Sequence, residues 1–231
     1  MNAEQRNLAI EREASESSRQ MARLLADWSQ ISEFPRLGVL CIGASNADDL
    51  LRNPDHQGVA DLIHASMTLL RTSFLAAWSI SKPSSVVERA VLRRRLDIEL
   101  AFSESLNGPS GESVFGQLDY LPSIVIILTH GSRGPVPYLQ DERGGGSVTA
   151  SDAASELGSL PGRNLLVVLP CCFASTVSEP FLENDRIGSV FAPLDEEIGD
   201  RDVASMLRAL GDEIRMLDVF SISRGFSNAE T

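Results

Sequence analysis

Cysteine is scarce in this chain of 231 residues, and so are long apolar runs and positive charge. Only Cys41, Cys171 and Cys172 are present, an odd number with two of them adjacent. Neighbouring cysteines rarely bridge, because the ring they would close is strained. This argues against a disulfide framework, and reduced thiols in a reducing compartment are expected. No CxxC pair accompanies the three histidines, His56, His64 and His130, which argues against a structural zinc site. Apolar stretches all fall short of bilayer length. The opening MNAEQRNLAIEREASESS has neither the basic head nor the apolar run of a secretory signal. A cytoplasmic protein is the expectation. Acidic residues outnumber basic ones, 32 against 20, for a net charge of −12. Such a surface repels phosphate backbones and anionic lipid, so neither nucleic acid nor membrane is an expected partner.

The length suffices to bury one sizeable core. A helical segment is expected over 1–33, with Met21, Leu24, Leu25, Trp28 and Ile31 along one stripe at spacings of three and four. Its first half is more polar, which suits fraying or a bound partner, and Pro35 ends it. The remainder, 34–231, reads as one domain. Leu37 to Ile42 is a short apolar run closed by Gly43, as in a strand buried on both faces. Val59, Leu62, Ile63, Met67 and Leu70 mark an amphipathic helix, with His64 beside the stripe as a packing residue. Residues 76–80 suit a strand and 86–92 a helix. Residues 103–119 read as a loop. The strongest strand signal is Ile124 to Thr129, leading into His130-Gly131. After the turn-rich 132–147, Thr149 or Ser151 can cap a short helix, Asp152 to Leu157, which Gly158 stops. Leu165 to Leu169 is a second buried strand, leading into Pro170-Cys171-Cys172. A weaker strand, Ile187 to Ala192, is followed by a helix with Val203, Met206, Leu207, Leu210, Ile214 and Leu217 on its stripe. Strands alternating with helices imply an α/β fold: a mostly parallel sheet with helices on both faces.

In open parallel sheets, reactive groups collect where loops leave the carboxyl ends of the strands. His130 and the Cys171-Cys172 pair both occupy that place. About one helix lies between them, as a crossover between parallel neighbours requires. A cysteine attacks as thiolate, and an adjacent imidazole can take its proton and return it to the leaving group. Gly131, without a side chain, lets backbone N–H groups approach a developing oxyanion.

These residues resemble the caspase-like (clan CD) cysteine peptidases, most closely the CHAT-domain branch found in bacteria. IVIILTHG is similar to that family's strand ending in His-Gly. GGGSVTASDAASEL is similar to its hairpin and helix, and NLLVVLPCC to its strand ending in a small residue and cysteine. Residues 187–217 look like its further strand, turn and helix. The resemblance covers 118–217 well and extends weakly to 37–42. It implies a caspase-like sandwich with Cys172 as nucleophile, His130 as base, and the backbone N–H groups of Gly131 and Cys172 as oxyanion hole. Pro170-Cys171 replaces the family's usual Ser-Ala or Gln-Ala, and Phe173-Ala174-Ser175 its polar-Gly stretch. Cys171 accordingly stands as the alternative nucleophile. Asp195 and Glu196 follow the strand that borders the family's S1 pocket and would favour a basic residue there, although a solvated acidic turn explains them as well.

The resemblance implies a cysteine endopeptidase without cofactor or metal. It would be a regulated protease cleaving a partner protein in bacterial defence or cell death, under a regulatory partner. The Gly-rich stretch from Arg143 to Gly146 is a candidate self-cleavage site or lid. Two other readings stand beside it: a catalytically inactive pseudo-protease acting as a binding or adaptor module, and a small-molecule hydrolase using Cys172.

Overall fold

The computed structural model describes residues 1–31, 36–44, 97–103, 106, 123–141, 146–159 and 164–217, with most of 58–69. The strand expected at 76–80, the helix at 86–92 and most of the 103–119 and 143–146 loops lie outside the described residues.

Five strands form one parallel sheet: β1 (Arg36–Ile42), β2 (Asp97–Ser103), β3 (Ser123–Ile127), β7 (Asn164–Val168) and the two-residue edge strand β8 (Val190–Phe191). Their spatial order is β2-β1-β3-β7-β8. Three short strands, β4 (His130–Ser132), β5 (Tyr138–Gln140) and β6 (Ser147–Thr149), make a separate antiparallel sheet that leaves the end of β3. The helices are α1 (Ala3–Ile31), α2 (Ala150–Ser159), α3 (Ala174–Leu182) and α4 (Asp200–Met216), with a further helical stretch at 61–66.

The sheet is central because the apolar residues of β1, β3 and β7 are buried on both faces. Successive side chains of a strand point to opposite sides. Val39, Cys41, Ile124, Ile126, Leu166 and Val168 thus meet α1, the 61–66 helix and α4. Leu40, Ile42, Val125, Ile127, Val167 and Leu169 meet α2 and α3. The result is a three-layer α/β sandwich with helices on both faces. Burying each of these Val, Leu or Ile side chains contributes about 1.5–3 kcal/mol.

Helix α1 is docked from Ile10 to Ala22. Ile10, Ala14, Ser17, Ser18, Met21 and Ala22 are all buried, and the Ser17 hydroxyl donates to Val190 O at 3.2 Å. The polar first half, expected to fray or await a partner, instead packs on α4. Of the expected stripe, Met21 and Leu24 contribute to the core. The other three side chains lie outside the described residues.

Several boundaries differ from expectation. β2 and α3 were not foreseen. α2 is capped by Thr149, whose hydroxyl accepts from Asp152 N–H at 3.0 Å, but it continues through Gly158 to Ser159. Asn184 lies against Gly158 and donates to Ala154 O at 2.8 Å, holding that last turn to α3. His64 is exposed rather than packed, while its neighbours Leu62, Ile63 and Ala65 are buried.

Candidate active site

β3 and β7 are adjacent and parallel, with Ile126 opposite Val168, so the segments leaving their carboxyl ends emerge side by side. The chain continues through Leu128 and Thr129 to His130, the exposed first residue of β4, which pairs with Gln140. From β7 it continues through buried Leu169 and Pro170 to Cys171 and Cys172.

The two segments touch at Gly131. A methyl group at this position would lie 2.1 Å from Cys172 O and 2.8 Å from Cys171 Sγ, so the β4 backbone rests directly on the cysteine turn. Only glycine allows that approach. His130 is the next residue on the same strand.

The two thiols differ sharply. Cys171 is 2% exposed and belongs to the apolar cluster formed with α2 and α3. Burial, with Cys172 adding to it, pushes its thiol from an ordinary 9.0 up to about 12, so it stays protonated and unreactive at neutral pH. Cys172 is half-buried. Its Sγ accepts from Ile198 N–H at 3.4 Å, and the thiol faces Ile198 O at 3.7 Å. Cys41, the third free thiol, is buried inside β1, as expected.

The loop after β8 encloses this turn. Phe173 N–H donates to Glu196 O at 3.1 Å and Ser175 N–H to Leu194 O at 3.1 Å. Asp195 accepts from Thr176 N–H at 3.2 Å and from its hydroxyl at 2.7 Å, which satisfies donors in the first turn of α3. Glu196 pairs with Arg6 of α1, and that guanidinium holds the carboxyl below the usual carboxylate range. Arg6 also reaches Asp202 at 3.5 Å. Both acidic residues assigned by sequence to an S1 pocket thus lie close to the cysteine turn, with their carboxylates engaged by other parts of the chain.

Phe173, directly after Cys172, has φ 53 and ψ 34, the only non-glycine with positive φ among the described residues. The Arg133 guanidinium lies over its ring, 4.7 Å from the centroid. Thr129, directly before His130, is buried, and its hydroxyl has no hydrogen-bond partner among the described residues. Sequence reasoning missed Arg133, Thr129, Ile198 and Arg6. Ile198 acts through its main chain and leaves no signal in residue type, and Arg6 lies far from the site along the chain.

The Cys172 N–H has no acceptor among the described residues. Among the described residues, no group of three or more His, Cys, Asp or Glu is arranged to hold a metal ion. None of their helices is long and apolar enough to cross a membrane. A cavity of about 420 Å³ lies between α1 and α4, lined by Asn7, Ile10, Ser205, Arg208 and Asp212 among others. It contains none of the candidate residues. Comparison with protein-family models, with curated proteins and with solved structures returned no match.

Proposed function

We propose that this chain is a caspase-like cysteine endopeptidase with a His130-Cys172 dyad. The observation that carries the reading is the seating of Gly131 on the Cys172 main chain, between neighbouring parallel strands. In the reaction, Cys172 Sγ attacks the scissile carbonyl carbon, and His130 accepts the thiol proton. The oxyanion forms toward the Gly131 and Cys172 N–H groups. Collapse breaks the C–N bond, and His130 gives its proton to the leaving amine. Water then hydrolyses the thioester, with His130 as base. The deep burial of Cys171 supports Cys172 as the nucleophile. The substrate is a partner protein in the cytoplasm, cleavage is governed by a regulatory protein, and the setting is bacterial defence or cell death. Neither nucleic acid nor membrane takes part.

The test is cleavage of a partner protein by the full chain. Cys172→Ala and His130→Ala should each lower the rate by at least about a thousandfold, while Cys171→Ala keeps most of it. A peptide-based thiol trap should label Cys172 in mass spectra. Normal cutting by both cysteine variants would end the proposal. One observation favours a second reading, a pseudo-protease that binds without turnover: Ile198 already occupies the Cys172 sulfur. Slow alkylation of Cys172 together with undiminished partner binding would select it.

A further inference from the structure

We infer that Arg133 is a positioning residue for the dyad, acting through Phe173; the inference rests on the His130-Cys172 reading above. Three observations meet at this point. Phe173 adopts a left-handed backbone conformation that a side chain tolerates only at a cost of about 1–2 kcal/mol. Such strain persists where the surroundings impose it, and it gathers where geometry matters. The surroundings here are specific: Glu196 O fixes the Phe173 N–H, and the Arg133 guanidinium covers the ring. Arg133 stands three residues after His130 on the segment leaving β4, and Phe173 is bonded to Cys172. The stacked pair therefore joins the arm that carries the imidazole to the turn that carries the sulfur.

Gly131 makes the contact complete. Its backbone rests on Cys172 O on one side of the junction, and the Arg133-Phe173 pair closes the other. Two points of attachment thus tie the segment that carries His130 to the turn that carries Cys172. Phe173 occupies a conformation that glycine would adopt without strain, and glycine would leave nothing for Arg133 to cover.

The experiment measures the rate at which iodoacetamide labels Cys172 in the full folded chain, read by mass spectrometry at fixed neutral pH. His130→Ala should slow labelling, which tests the dyad itself. Arg133→Ala and Phe173→Leu should each slow it roughly fivefold, the rate equivalent of one exposed cation–π contact. Arg133→Lys should restore part of the rate, because an ammonium can also sit over the ring. The decisive measurement is the double variant: in a His130→Ala background, Arg133→Ala should have no further effect. In substrate cleavage, Arg133→Ala should lower kcat and leave KM nearly unchanged. Wild-type labelling by Arg133→Ala, or an equal slowing with and without His130, overturns the positioning role and leaves the dyad standing. Labelling indifferent to His130→Ala overturns the dyad, and the positioning role with it.

Discussion

Gly131 has no room for a side chain. A methyl group there would sit 2.1 Å from Cys172 O, far inside contact distance, so the ends of β3 and β7 would have to separate. Gly131→Ala is expected to destabilise the fold by about 1–3 kcal/mol, the usual cost of overpacking, and to abolish cleavage that depends on Cys172. Denaturant unfolding and the cleavage assay measure the two effects, and wild-type values in both would contradict the close approach. The placement of His130, Gly131 and the cysteine pair at neighbouring strand ends was legible in the sequence, because both segments follow apolar runs with nowhere to go but the core. The choice between the two cysteines was not. It depends on which sulfur faces the interior, and residue type cannot distinguish adjacent thiols. Phe173 was legible only as a departure from the family's pattern. Its left-handed backbone is held by Glu196 and Arg133, from two other segments of the chain.

The element that sequence reasoning lost, α3, carries the stripe Ala174, Val177, Ser178 and Phe181 at helical spacing. Pro180 lies inside it, and proline removes a donor and crowds the preceding turn. The structure keeps the helix because Phe181 is fully buried between the sheet and α2. β2 was missed although Ile98, Leu100 and Phe102 alternate with Asp97, Glu99 and Ala101, a period-2 pattern within a mixed segment. At the other end of the chain, α1 touches the 194–199 loop and the start of α4 through Arg6, which pairs with Glu196 and Asp202. Exposed ion pairs contribute little to global stability, so Arg6→Ala should move the melting temperature by no more than a few degrees. Its local effect should be larger. Amide hydrogen exchange at Phe173 and Ile198, whose N–H groups bond Glu196 O and Cys172 Sγ, should quicken as the 194–199 loop loosens. Unchanged exchange at both would show that α1 does not hold the loop.

Among the described residues, three groups tie stability to pH, with different signs. The Glu196 carboxyl is depressed by Arg6, so its contribution is present at neutral pH and fades as pH falls through that depressed value. Glu13 is raised by burial, with Ala192 N–H offsetting part of this, so its contribution is full in acid and fades as pH rises through the raised value. Cys171 is raised from 9.0 to about 12, so its contribution is whole below 9 and is lost between there and 12, as the unfolded thiol ionises first. Unfolding free energy should therefore decline over that alkaline range. In Cys171→Ala the decline should be shallower, as followed by denaturant midpoints at stepped pH. A decline of the same slope in the variant would refute the assignment.

The sequence alone determined the layered α/β architecture, the strands β1, β3 and β7, and the residues that leave their carboxyl ends. Those follow from local facts: apolar runs must be buried, and a period of two or of 3.6 says how. Only the tertiary structure decided which thiol is buried, that Ile198 lies on the Cys172 sulfur, and that Arg6 reaches Glu196 and Arg133 covers Phe173. These contacts join segments distant along the chain through main-chain atoms and exposed charges, which have no periodicity. They exist only once β3 and β7 lie side by side.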